Sequence, residues 1–150
     1  MMPFLQAKRA DLMRLSGILL LIVCVAKLIA VSSKSELLAA REDLSGISYG
    51  KLTAFMAILE AFVGTSAAFF PKTRFAAYGV AWLGILFAGY KGLRGMLGFR
   101  GPCHCLGSLF AWWPWGAAHE TLFAWLVTVI LLFSSAVWIF FDSASRHEKK

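Results

Sequence analysis

The sequence is short of charge, cysteine and proline, and each shortage excludes a class of protein. Only 15% of its 150 residues are charged and 59% are hydrophobic, whereas soluble domains are roughly 25% charged. Such a chain has too little polar surface for a water-soluble domain, and its apolar residues come in blocks, so lipid is its solvent. Acidic residues are the scarcer sign, 8 against 15 Lys and Arg. The resulting charge of +7 does not mark a nucleic-acid binder, because the basic residues stand at the ends of apolar runs, as membrane topology requires. Three cysteines are too few for a disulfide scaffold. Cys24 lies inside an apolar run and reads as a small buried hydrophobe.

Four apolar runs are present: Leu15–Val31, Leu52–Phe70, Phe75–Leu97 and Thr121–Phe141. Each is long enough to cross a hydrocarbon core about 30 Å thick at 1.5 Å rise per residue. The first has the basic front of a signal peptide, but Lys27 interrupts it late and three more runs follow, so it is read as a retained helix. The expected fold is therefore all-α, a single domain forming a four-transmembrane-helix bundle. Between the first two runs, the stretch Ser35–Leu44 carries Leu37, Leu38 and Leu44 near one face. It reads as a short amphipathic helix at the membrane surface, in the first extracytoplasmic loop. Glycines at 79, 84, 89, 92, 95 and 98 are expected to permit close packing of the third helix.

Four spans put both termini on one side. Lys8, Arg9, Arg14, Lys72, Arg74 and the basic tail fall there; Lys34, Arg41, Lys51, Lys91, Arg94 and Arg100 fall on the other. The Pro71–Arg74 turn is densely basic, while the 32–51 connection is charge-balanced, so the positive-inside rule places the termini in the cytoplasm.

Chemistry is concentrated in Gly101-Pro102-Cys103-His104-Cys105-Leu106-Gly107, between the third and fourth runs. One intervening residue makes relaxed disulfide geometry hard to reach without a turn, and Pro102 and Gly107 supply turn chemistry. Strained disulfides are easily reduced and tend to be regulatory or catalytic. A protonated His104 would stabilise a neighbouring thiolate, and Lys91, Arg94 and Arg100 add positive field. The charge rule puts this loop outside the cytoplasm, on the oxidising side where disulfides persist. The cluster Trp112, Trp113 and Trp115 reads as an interfacial anchor, with a quinone-like contact as the alternative. His119 is a candidate third metal ligand.

Lys27 and Glu60 interrupt the first two spans in what reads as the outer half of the bilayer. Adjacent antiparallel helices would let them pair. The alternatives are that Lys27 snorkels to the headgroups while Glu60 lines a helix contact, or that both support thiol chemistry, Glu60 passing protons and Lys27 favouring a thiolate.

Three segments in order, Val25-Ala26-Lys27-Leu28, Leu59-Glu60-Ala61-Phe62-Val63-Gly64 and Cys103-His104-Cys105-Leu106-Gly107, resemble the MauE/DoxX-like family of redox-associated membrane proteins. Leu106 stands where that family has Phe. The resemblance covers nearly the whole chain and carries over Lys27, Glu60, Cys103, Cys105 and Gly107. It implies a thiol–disulfide accessory role, as for the family member that supports maturation of a disulfide-rich periplasmic subunit in methylamine utilisation. The leading expectation is thus exchange with an extracytoplasmic thioredoxin-like or disulfide-containing partner, with Cys103 and Cys105 as the redox pair. Two other classes stand beside it: a soft-metal site for Cu(I) on the two thiolates, and a non-catalytic scaffold whose Cys-x-Cys is a loop staple. No resident cofactor is implied.

Overall fold

The computed structural model describes residues 2–32, 48–97 and 116–147. These form four α-helices: α1 (Met2–Ser32), α2 (Tyr49–Phe69), α3 (Arg74–Met96) and α4 (Gly116–His147). Apart from the caps and one turn, all the described backbone is helical. Two helices overrun the apolar runs that signal them. The basic residues Lys8, Arg9 and Arg14 belong to α1, and Asp142 belongs to α4. A helix beginning at Met2 accommodates Pro3, because the first turn has no intrahelical use for its N–H groups.

Three of the helices contain stretches long and apolar enough to cross a membrane: Lys8–Ile29, Gly50–Phe69 and Leu122–Ser143. The stretch expected as a third span, Phe75–Leu97, is helical as α3 but is not among them. Its five helical glycines, Tyr78, Trp82, Tyr90, Lys91 and Arg94 dilute an otherwise apolar sequence. The expected surface helix over Ser35–Leu44 lies outside the described residues.

The helices α1 and α2 form the most extensive contact, α3 and α4 the next, and α1–α4, α2–α3 and α1–α3 contacts close the arrangement. Gly17 and Gly64 explain the first. A Cβ on Gly17 would stand 2.5 Å from the backbone nitrogen of Ala68 and 2.7 Å from the carbonyl oxygen of Gly64, so the two backbones touch with no room for a side chain. On α3 the glycines divide. Gly79 packs on Val63 and Gly84 on Leu132, whereas Cβ atoms on Gly89, Gly92 and Gly95 would meet nothing within 4 Å. Close packing thus uses two of the α3 glycines and a crossing that lies elsewhere.

The α2–α3 turn is fastened by three contacts. Thr73 caps α3, accepting from the Ala76 N–H at 3.4 Å and donating its hydroxyl to the Phe70 carbonyl at 2.9 Å. Trp138 of α4 donates its indole N–H to the Pro71 carbonyl at 3.1 Å. Arg74 pairs with Asp142 at 3.3 Å. One further polar contact ties α1 to α4 inside the protein, the Ser16 and Ser134 hydroxyls at 2.7 Å.

The exterior is as apolar as the core. Ile18, Ile22 and Val25 on α1, Phe55, Ile58 and Phe62 on α2, Phe75, Trp82 and Ile85 on α3, and Val129, Phe133 and Phe140 on α4 are all exposed. A monomer in water rarely shows contiguous apolar patches on this scale.

Candidate functional site

A lysine and a glutamate are buried where α1 and α2 cross. Lys27 is 2% exposed and Glu60 is 0% exposed, and the Lys27 ammonium pairs with Glu60 Oε1. Backbone direction explains why they meet. Side chains lean toward the N-terminus of their own helix, so Lys27, near the end of α1, reaches back into the protein. Glu60, on the antiparallel α2, leans the opposite way. This overturns the snorkelling alternative for Lys27. Within the apolar stretches, Lys27 stands near the end of Lys8–Ile29 and Glu60 near the middle of Gly50–Phe69.

The neighbours are specific. The Lys27 ammonium stands 5.1 Å from the centre of the Phe87 ring, where the negative ring face attracts a cation. One turn back along α1, the Cys24 thiol donates to the Ala57 carbonyl at 3.1 Å. Cys24–Ala57 and Lys27–Glu60 are successive rungs between the same two helices, so Cys24 is a hydrogen-bonded, buried free thiol. Glu60 Oε2 is fully buried and has no hydrogen-bond partner among the described residues. The carboxylate is half satisfied.

Lys91 and Arg94 stand elsewhere than their sequence suggests. They share one helical face, as the i+3 spacing requires. That face is turned inward: Lys91 is 9% and Arg94 6% exposed, so both cations are buried between helices near the end of α3. The Lys91 ammonium lies 5.4 Å from the Trp125 ring centre. Arg94 donates to the Tyr90 hydroxyl at 3.3 Å and sits 5.9 Å from its ring centre. Aromatic faces of α3 and α4 thus meet the interior cations, a device the sequence offers no spacing rule for.

Of the sequence-derived candidates, Lys27 and Glu60 are brought into contact. Cys103, His104 and Cys105 lie outside the described residues, as do Trp112, Trp113, Trp115 and the side chain of His119. Among the described residues no group of three metal-ligating side chains occurs. Sequence reading missed Phe87, Trp125 and the Cys24–Ala57 bond. Only Cys24 had a legible signal, its i−3 spacing from Lys27 on the same helical face. Comparison with protein-family models, with curated proteins and with solved structures returns no match.

What can this arrangement do chemically? It offers an ammonium, an acceptor oxygen that lacks a donor and a thiol, all enclosed by apolar walls. Ionisable groups at such depth face a bundle interior or a water-filled cavity and mark proton or ligand sites.

Proposed function

We propose that the chain is a four-span integral membrane protein with cytoplasmic termini that supports thiol–disulfide exchange, or maturation of a disulfide-containing partner, on the opposite side. The working residues are Cys103 and Cys105. One attacks the partner's disulfide as a thiolate, forming a mixed disulfide and expelling the partner's second sulfur as a thiolate. The other cysteine then resolves the mixed disulfide, so the pair is oxidised and the partner reduced; the reverse sequence oxidises the partner. His104 lends positive charge to the attacking sulfur. The MauE/DoxX-like resemblance of the Lys27, Glu60 and Cys-x-Cys segments supports the same reading.

The carrying observation is where the charge gathers. The segment bearing both cysteines joins the C-terminus of α3 to the N-terminus of α4. Lys91 and Arg94 occupy the last turns of α3. Positive charge lowers thiol pKa and raises the thiolate fraction. For α3 as the fourth span, the support is its length and its outward face. Twenty-three residues extend about 35 Å at 1.5 Å each, and Phe75, Tyr78, Trp82 and Ile85 are exposed.

The test expresses Cys103→Ser and Cys105→Ser separately in the parent cells, with acid quenching and non-reducing gels. Loss of the resolving thiol traps a reducible adduct with the partner. Absence of an adduct from both variants, with full function in both, removes the redox reading. Topology is read independently by an impermeant thiol reagent on intact cells, in chains carrying Cys103→Ser and Cys105→Ser, which labels Ser45→Cys and spares Lys72→Cys.

A second reading, a non-catalytic scaffold, has its own support. The backbone contact of Gly17 with Gly64 and Ala68 and the Lys27–Glu60 pair make a rigid α1–α2 unit that needs no chemistry. Retained function in both serine variants is the outcome it requires.

A further inference from the structure

The interior differs in character between its two halves. Toward the Pro71–Thr73 turn most buried side chains are apolar, Val63, Val80, Leu83 and Leu131 with Ala67, Ala76 and Ala77 among them. The buried serines in that half are all hydrogen-bonded, Ser16 and Ser134 to each other and Ser135 to the Leu132 carbonyl. Toward the other end, where α1 and α3 finish and α2 and α4 begin, the buried groups include Thr53, Lys27, Lys91 and Arg94. Glu60 stands at the boundary, and its Oε2 is the one buried side-chain N or O atom left without a hydrogen-bond partner among the described residues.

We propose that Glu60 is the floor of a hydrated inlet open only toward the end at which α3 finishes and α4 begins, and that water, with the proton it carries, is the ligand of its free oxygen. An acceptor in a fully buried site demands a donor. Among the described residues none supplies it: the Lys27 ammonium is directed at Oε1, the Cys24 thiol at the Ala57 carbonyl, and Phe87 presents its ring face to Lys27. Water is the donor small enough to arrive between packed helices, and buried waters collect at otherwise unsatisfied polar groups. From the turn end, water would have to cross the Val63–Val80–Leu83–Leu131 layer. From the other end it passes the Thr53 hydroxyl, the Lys91 ammonium and the Arg94 guanidinium, which stand beside the buried Ala57, Ala124 and Val127. The titratable groups facing this path are Lys27 and Cys24 from α1, Glu60 from α2, and Tyr90, Lys91 and Arg94 from α3; α4 contributes Trp125 and Thr128, which do not titrate. The inlet rests on the membrane reading of the helices and is independent of the thiol chemistry.

The inward face of α2 supplies the test, because Thr53, Ala57, Val63 and Ala67 lie along it, all buried, with Glu60 untouched between them. Each is replaced by cysteine in the full chain carrying Cys24→Ala, Cys103→Ser and Cys105→Ser, reconstituted in phosphatidylcholine vesicles. Folding is checked by gel filtration. A small water-soluble methanethiosulfonate is then applied. Thr53→Cys and Ala57→Cys should react about a hundredfold faster than Val63→Cys and Ala67→Cys, equivalent to roughly 2.8 kcal/mol at 1.4 kcal/mol per decade. Adding Glu60→Leu should slow Ala57→Cys toward the rate of Val63→Cys. Equal rates at all four positions, or faster reaction at Val63→Cys and Ala67→Cys, overturn the inlet. Ile58→Cys separates this failure from that of the membrane reading. Ile58 is 67% exposed and must stay unreactive in lipid; rapid labelling there overturns both.

Discussion

Removing one member of the Lys27–Glu60 pair should harm the protein more than removing both. In Lys27→Met the Glu60 carboxylate keeps no partner at either oxygen, since Oε2 has none to begin with. In Glu60→Gln the ammonium retains only the Phe87 ring and a neutral amide. Breaking one side of a buried pair costs about 3–5 kcal/mol, whereas replacing both charges by neutral groups of similar volume is often near neutral. The double variant Lys27→Met/Glu60→Gln leaves one buried amide incompletely bonded, at about 1–3 kcal/mol. The two single losses therefore sum to roughly 6–10 kcal/mol, and the double should fall several kcal/mol short of that sum. The assay is unfolding in mixed micelles titrated with a denaturing detergent, followed by tryptophan fluorescence, on wild type and the three variants. Additive losses, or a double variant as unstable as the worse single, would refute the reasoning: the two charges would then be stabilised by separate surroundings rather than by each other.

Other outcomes follow from the helix contacts. Gly17→Ala should destabilise the α1–α2 contact by about 1–3 kcal/mol, because backbone atoms at 2.5 and 2.7 Å cannot give way, while Gly89→Ala should be neutral or slightly stabilising by helix propensity; the same detergent titration compares them. Trp138→Phe keeps the ring near Arg9 but loses the 3.1 Å bond to Pro71, leaving that carbonyl without its indole donor. It should cost about 1–2 kcal/mol and speed proteolysis at the α2–α3 turn. Ser16→Ala and Ser134→Ala should each cost about 0.6–2 kcal/mol and be non-additive together, as interhelical hydroxyl pairs in membranes are.

Some of this was legible in the sequence and some was not, for definite reasons. Helix existence was legible in all four apolar runs, because blocks of apolar residues need no partner to be recognised. Helix ends were not: α1 and α4 extend through basic and acidic turns that hydropathy excludes, since Lys and Arg are good helix formers wherever they lie. The meeting of Lys27 with Glu60 was legible because each is a rare ion in an apolar span on adjacent antiparallel helices. The enclosure of Lys27 was not, because hydropathy places only its Cα, while the side chain reaches back toward the α1 N-terminus and into the protein. The inward turn of Lys91 and Arg94 was hidden for a related reason. Spacing shows that two residues share a face, but only the partner helix, here Trp125 on α4, decides which way that face turns.

One oxygen of Glu60 pairs with Lys27, and the other meets no donor among the described residues. A pair kept for stability alone would gain from satisfying both oxygens, since a half-satisfied polar network is worse than an apolar core. The cost of the free oxygen is also the property that separates this site from the Ser16–Ser134 contact, where both hydroxyls are engaged. Two polar contacts in one apolar interior therefore carry different chemistry: the first is closed, and the second retains an acceptor at the floor of the half lined by cations. If the free oxygen exists only to close on water, Glu60→Leu paired with Lys27→Met should be as stable as the wild type or more so.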